Sequence, residues 1–397
     1  MKQAGVAGSR SDRGEVFRFA GGSAVSLNGD EIRQCHEWRE AFAQCAKDYR
    51  YYNIIEATLA NSFRYRYLVL RGEDGSIVGI QPYLIVQQNL VEGIPGAIRQ
   101  AIDRIRTRFP RLLTMRVLML GCAAGEGHLS SSNHQERLAA ALFEALPAVA
   151  RSEGASLIVW KDFSARYRQV LGDFARHAFT RVPSMPMTRL QLDFVDFDDY
   201  LGHLSYGTRK SLRRKFRKTE RSHNLNMEVT SDLTPYLDEV YPLYRAVQDR
   251  SSMKFENLTK EYFAQLGRLM PDRVRYFLWR LEGRIVAFSA TLVHGDVIYD
   301  DYLGLDYSVA LDLHLYFYTF RDIVSWAIGQ GLKWYLSSPL NYDPKLHLGC
   351  ALAPLDLYVR HTSPLLNPVF GRLVKLLEPT RHDPVLPRFP NAAELIS

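Results

Sequence analysis

No stretch of this 397-residue sequence approaches the roughly 18 consecutive apolar residues that a membrane-spanning helix needs. The opening residues, MKQAGVAGSRSDRGEVFRF, contain no apolar stretch of signal-peptide length, so the expected address is the cytoplasm. Cysteine is scarce: Cys35, Cys45, Cys122 and Cys350 are the four, and no two form a C-x-x-C pair. That argues for reduced, mostly buried thiols and against a disulfide framework or a zinc site. No H-E-x-x-H occurs among the 11 histidines, so no spacing argues for a metal and none is expected. Charged residues are 23% and apolar residues 47%, which excludes a disordered chain, a collagen-like fibre and a coiled coil.

What is present is unevenly placed. The net charge is +7, and the segment Arg209–Arg221 carries all of it, with eight Lys or Arg against Glu220 alone. At helical spacing Arg209, Arg213, Arg217 and Arg221 share one face, beside Lys210, Arg214 and Lys218. Leu212 and Phe216 fall on another side and are expected to dock the helix. Such a face is either simply solvated or a contact for phosphate or polyanion: a nucleotide cofactor, RNA or lipid phosphate. No DNA-reading motif accompanies it, so DNA is excluded as a partner.

Residues 1–14 are polar and Gly/Ser-rich and read as a loose start. A helical pattern covers Trp38 to Tyr52. A hairpin follows, turning at Glu73–Ser76, with Pro82 expected to end its second strand early or place it at an edge. Residues 94–109 align Ile94, Ile98, Ile102, Ile105 and Phe109 as an amphipathic helix with basic flanks, which packs on the core or serves as a lid or a membrane-surface element. A strand then runs into Gly121-x-x-x-Gly125-x-Gly127, where a backbone could approach a phosphate, although no P-loop Lys-Ser/Thr follows. Helices are expected at 135–153 and 166–175, with the strand SLIVWKDF between them. From Met187 the order of elements begins again, including a second hairpin turning at Glu282-Gly283. The chain thus reads as two copies of one α+β unit, divided near residue 183.

The second copy ends in the strand VIYDDYLGLD, a loop, the helix LYFYTFRDIVSWAIGQG, the strand LKWYLSS, a short helix and a last strand. That order resembles the GNAT acyltransferase fold. Two such units in tandem resemble the FemAB-like branch, the bacterial peptidoglycan-biosynthesis or BioF2-like acetyltransferases. The resemblance rests on Thr208–Lys215, on Met270-Pro-Asp-Arg273, on Gly304-Leu-Asp306 and on Lys345-x-x-x-Gly349-x-x-x-x-Pro354. It implies an α+β fold of two tandem GNAT-like (acyl-CoA N-acyltransferase) domains, each a mixed twisted sheet flanked by helices. Residues 15–183 would form the first domain, 184–365 the second and catalytic one, and 366–397 a C-terminal tail. The chain departs from the pattern in three places: Asp343-Pro344 stands where Glu-His is usual, Asp300 and Asp301 occupy the central strand, and the R/Q-x-x-G-x-G/A pyrophosphate loop is replaced by Leu305–Leu313.

The resemblance implies acyl transfer from a thioester, acyl-CoA acting as co-substrate, to an amine. That chemistry needs a base for the amine, an N–H for the oxyanion and an acid for the thiolate. Adjacent strand residues point to opposite faces, so Asp300 or Asp301 must turn into the cleft or a packed layer, and either is the candidate base. His314 is a further candidate. Lys345, matched to the family lysine, would hold an acceptor phosphate or an oxyanion, and Tyr342 would be the acid. Gly304, Ser308, Val309, Ala310, Leu311 and Leu313 are the cofactor candidates; Arg209, Lys210, Arg213, Ser337 and Asn341 are those for substrate or phosphate. The expected acceptor is a small-molecule amine or a cell-wall precursor. Two alternatives stand beside this: an aminoacyl-tRNA donor held by the basic helix, and a non-catalytic relative binding phosphate or lipid. Peripheral contact with the inner membrane face is a further expectation.

Overall fold

The computed structural model describes residues 15–89, 100, 104–108, 114–130, 134–222, 224–251 and 255–396. The loose start at 1–14 and most of the amphipathic stretch 94–109 therefore lie outside the described residues. Thirteen strands form one sheet: β1 (Val16–Phe19), β2 (Gly22–Leu27), β3 (Arg64–Gly72), β4 (Ile77–Asn89), β5 (Thr114–Leu120), β6 (Leu157–Ser164), β7 (Thr180–Gln191), β8 (Leu225–Thr230), β9 (Val274–Leu281), β10 (Arg284–His294), β11 (Val297–Leu305), β12 (Trp334–Ser337) and β13 (Ala351–His361). The helices are α1 (Gly29–Ile32), α2 (Tyr49–Thr58), α3 (Gln135–Ser152), α4 (Phe197–His203), α5 (Tyr206–Ser222), α6 (Leu237–Gln248), α7 (Lys260–Leu269), α8 (Leu315–Gly329), α9 (Tyr342–His347) and α10 (Asn367–Leu376).

The sheet order is β1-β2-β3-β4-β5-β6-β13-β7-β12-β11-β10-β9-β8. Read inward from each edge, β2-β3-β4-β5-β6-β13 matches β8-β9-β10-β11-β12-β7, so the expected α+β tandem of mixed-sheet units is present. The closing strands are exchanged. β7, which ends the first half of the chain, pairs with β12 of the second, and β13 pairs with β6 of the first. β7 and β13 also pair with each other, from Ala351 opposite Arg189 to Val359 opposite Thr180. Residue 183 falls inside β7.

Both hairpins form with the expected turns. Pro82 does not end its strand, and β4 runs on to Asn89. The ladder to β5 begins only at Tyr83, so Pro82 sits where β4 has a strand on one side, which a missing N–H tolerates. The pattern over Trp38–Tyr52 is not one helix. A short 3-10 turn at His36–Glu40 is broken by Phe42 at φ 60°, and α2 starts only at Tyr49, where Asp48 caps it by accepting from the Arg50 N–H. Residues 166–175 likewise form two 3-10 turns rather than a helix.

The two halves are clamped by more than the shared strands. Arg50 donates to both carboxylate oxygens of Asp272 at 2.7 and 2.9 Å, and Arg273 reaches Asp48 at 3.3 Å. The Tyr51 hydroxyl lies 3.0 Å from that of Tyr262. One buried core runs through this seam, with Trp38, Tyr52, Ile55 and Tyr65 from the first half and Tyr244, Phe263, Tyr276 and Phe288 from the second.

Candidate active site

The site begins with two parallel strands that part. β11 and β12 pair over Val297–Asp300 and Trp334–Ser337; the last bond is from the Ser338 N–H to the Asp300 carbonyl at 3.2 Å. β11 continues to Leu305 with β10 on its other side. Ala290 pairs with Tyr302 and Thr291 with Asp300, which leaves Asp301 as the extra residue of a bulge. A bulge re-aims its side chain and accentuates strand twist. Here it sits at the point where β12 departs.

Asp301 is turned toward the first half. Its carboxylate is 10% exposed and lies 3.1 Å from the Lys47 ammonium, which is 1% exposed. Lys47 is also 2.8 Å from Glu126. Glu126 is 3.2 Å from Nε2 of His128, and an Arg166 N–H donates to His128 Nδ1 at 2.9 Å. Because arginine only donates, Nδ1 is an acceptor, and Nε2 carries the proton toward Glu126.

Two carboxylates share one buried ammonium, and their environments separate them. Burial pushes Asp301 up to about 6; Lys47 pulls it down, and Glu126 pushes it further up. Burial also opposes ionisation of Glu126, but Lys47 and His128 outweigh it and hold Glu126 well below the usual range. Glu126 is thus the fixed counter-charge, and Asp301 is the group able to exchange a proton near neutral pH. Burial works against the charge on Lys47 too, and Asp301 and Glu126 keep it charged.

Asp300 points the other way, as its partners show. It accepts from the Tyr335 hydroxyl at 2.7 Å and from Ser289 Oγ. Burial raises its pKa. On this side lies Lys345, 5% exposed, donating to the Ser338 carbonyl. Burial brings Lys345 down to about 8, against the pull of Cys350 and Asp300. Ser337 is buried on β12 directly opposite Asp300.

The other residues singled out by the sequence have varied settings. The Tyr342 hydroxyl donates to the Pro186 carbonyl at 2.8 Å, inside a small core with Met185, Leu352 and Phe389. Asn341, at φ 53°, precedes α9. Gly304 is a packing position, since a Cβ there would collide with the Phe288 ring. Ser308 binds Asp306 through its N–H at 2.9 Å and its hydroxyl at 2.6 Å. Ala310 and Leu313 are buried in the second half's core, Val309 packs beside it, and Leu311 is 77% exposed. His314 precedes α8 at φ 48°; burial lowers its pKa, and Lys215, Lys218 and Arg214 lower it further.

The basic helix forms as α5. Leu212 and Phe216 are buried, and the Thr219 hydroxyl donates to the Leu313 carbonyl at 2.9 Å, so α5 lies against the loop leading into α8. Arg209 donates to the Gly202 carbonyl at 2.8 Å, Arg213 lies 3.5 Å from Asp198, and Lys210 lies over the Tyr206 ring. Arg214, Arg217, Lys218 and Arg221 have no ion-pair partner among the described residues.

Sequence reasoning missed Lys47, Glu126, His128 and Arg166. The signal nearest to them was the glycine run, and it has a different use. A Cβ on Gly125 would strike the end of the Lys47 side chain, and one on Gly127 would lie 2.5 Å from the Lys161 carbonyl oxygen. These glycines admit Lys47 and the β6 backbone. Among the described residues no group of three or more His, Cys, Asp or Glu is placed to hold a metal ion, and no helix is long and apolar enough to cross a membrane.

A family model described as FemAB-like, peptidoglycan biosynthesis/recognition, matches residues 36–337. A Mycobacterium tuberculosis protein named "Putative 8-amino-7-oxononanoate synthase 2" is 23% identical over 301 residues; the match covers 72% of this chain and 38% of that one. The solved structure of FemX is 12% identical, covers 86% of this chain and 93% of its own, and superposes with a TM-score of 0.51. L-PGS from Bacillus licheniformis is also 12% identical, over 84% of this chain and 97% of its own, with a TM-score of 0.48.

Proposed function

The chain belongs to the FemAB-like family, and from the geometry of its parted strands we propose that it is an N-acyltransferase working where β12 leaves β11. The observation that carries this reading is Asp301: a buried carboxylate, the extra residue of a bulge at that parting, held near 6. At neutral pH it is mostly ionised yet readily protonated, the condition a general base needs.

In this reading an acyl thioester, with coenzyme A as the carrier, enters the fork between β11 and β12. A backbone N–H on the β11 edge that β12 has left stabilises the oxyanion. Asp301 takes a proton from the attacking ammonium or amine, and the nitrogen lone pair forms the new bond to the carbonyl carbon. Collapse breaks the C–S bond, and the proton that Asp301 took from the nitrogen passes to the leaving thiolate. Lys47 and Glu126 fix the Asp301 carboxylate across the seam. Lys345, near 8 and beside Asp300, is the cation on the other side of β11. The family description points to an amine of a cell-wall precursor as acceptor.

A second donor is favoured by one observation: Arg214, Arg217, Lys218 and Arg221 of α5, without an ion-pair partner among the described residues, are on the helix that meets the loop entering α8. An aminoacyl-tRNA would use them, with a ribose hydroxyl as leaving group in place of the thiol. Mass spectrometry of products separates the two. The protein is incubated with a lysine-containing cell-wall precursor and either acetyl-CoA or charged tRNA. An acetylated precursor supports the thioester donor, an aminoacylated one supports tRNA, and neither product with any amine tried would overturn the assignment of an acyltransferase.

A further inference from the structure

One end of the sheet, where β4 and β13 finish and β5 and β6 begin, gathers apolar side chains that no described residue covers. Ile105 is 50% exposed there, on a turn that Arg106 ties to Asn89 at the end of β4 by a 2.6 Å bond. β13 leads at the same end into α10. Leu365 and Leu366 before that helix are 88% and 49% exposed, and Val369 and Leu376 on it are 60% and 67% exposed. Among the described residues, five of the twelve exposed large apolar side chains thus lie in two short segments. Elsewhere such residues are scattered singly, which needs no explanation.

α10 is docked by its opposite side. Phe370 and Val374 pack on the seam core, and Gly371 lies against Thr180. The spacing of Val369 and Leu376 puts both on one outward stripe, beside Leu373. Arg372 and Lys375 flank the stripe on α10, and Arg104, Arg108 and Arg151 lie at the same end of the sheet; all five are exposed and have no ion-pair partner among the described residues. Two carboxylates also lie at this end: Glu153 is 13% exposed and held by Arg64 and Arg116, and the exposed Glu15 accepts from the Ser152 hydroxyl.

We propose that this end of the molecule seats on an anionic lipid bilayer, with Leu365, Val369, Leu376 and Ile105 entering the headgroup layer. An apolar stripe rimmed by Lys and Arg is the composition of interfacial anchors. The rim also argues against a second copy of this chain as the occupant. A two-fold interface would bring the same cations face to face, whereas anionic headgroups neutralise them. The inference does not depend on the acyl donor or on the catalytic assignment.

Vesicle flotation tests it with the full chain. Vesicles of equal parts phosphatidylcholine and phosphatidylglycerol should carry the protein upward, vesicles of phosphatidylcholine alone should not, and added salt should weaken the binding. The triple variant L365S/V369S/L376S changes only exposed side chains and should lower the bound-to-free ratio about tenfold or more, a loss of about 1.4 kcal/mol. R372Q/K375Q should lower it too and flatten the salt dependence. Sedimentation equilibrium without lipid should give a monomer. No flotation on the anionic vesicles, flotation unchanged in the triple variant, or a dimer that the triple variant dissociates would each overturn the proposal.

Discussion

The two halves build the same fork and finish it differently. In the first half β5 and β6 run parallel over Val117–Leu120 and Leu157–Trp160, then part, as β11 and β12 do. There the chain fills its own opening. Residues 121–130 cross back, the Gly127 N–H donates to the Asp162 carbonyl at 2.9 Å, and Gly127 bridges to Phe163. In the second half the chain leaves β11 for the loop at 306–314 and α8, and a bulged carboxylate stands at the apex. The filled fork is not idle, because its loop delivers Glu126 and His128 to the seam where they meet Lys47 and Asp301. One copy thus leaves its strands parted beyond Asp300, and the other supplies the charges that meet Asp301 there.

The largest effect should come from removing the shared cation. Lys47→Met leaves Glu126 and Asp301 buried without their ammonium, and breaking a buried pair from one side costs about 3–5 kcal/mol. Chemical denaturation should show that loss, and activity should fall with it. If Lys47→Met is as stable as the parent, the first half does not neutralise the second half's site.

Asp301→Asn comes next. It keeps the shape and removes the base, so acyl transfer should drop at least about tenfold, about 1.4 kcal/mol in the barrier, while the melting temperature moves by a few degrees. Lys345→Ala should cost a similar factor on the other side of β11. Full activity in both would place the chemistry elsewhere, the first fork included.

The pH dependence sharpens the assignment. The base must be ionised, so the rate should climb as pH rises through about 6 and level off above it. Stability runs in the opposite sense. The carboxyl binds its proton more tightly folded, at about 6, than unfolded, at 3.8, so its contribution is complete below 3.8 and is lost as pH rises through 6. Stability profiles of the parent and Asp301→Asn should diverge across that window, and parallel profiles would remove Asp301 from the account.

Gly125→Ala probes the filled fork more gently. At φ 121° with Lys47 in the path of the new Cβ, it should cost about 1–3 kcal/mol and shift the rate by less than Asp301→Asn does. The smallest effect is expected on α5. Arg217→Ala with Lys218→Ala should leave thioester-dependent transfer nearly unchanged, because both side chains face solvent. A large loss confined to a tRNA donor would favour that donor instead.

Local elements were legible in the sequence because their signals are local. Alternation with a Gly turn marked both hairpins, and the docking pair Leu212 and Phe216 marked α5. The exchange of β7 and β13 was not legible. Nothing local in either strand names its neighbour, and which neighbour each takes is fixed by pairing across more than 140 residues. The site divides the same way. Asp300 and Asp301 stood out as two acids in an apolar strand, and opposite facing followed from the pleat. Which of them pairs with the first half depends on the bulge and on Lys47, which sits about 250 residues away in a stretch whose helical pattern breaks at Phe42. Met270-Pro-Asp-Arg273 carries no chemistry by itself in the sequence; its Asp272 and Arg273 clasp the two halves through Arg50 and Asp48.

If thioester binds only where β12 leaves β11, isothermal titration with acetyl-CoA at moderate salt should give saturable binding of one thioester per chain that persists as salt rises. Two equivalents per chain, or none with acetyl-CoA, free CoA and a long-chain acyl-CoA alike, would contradict it.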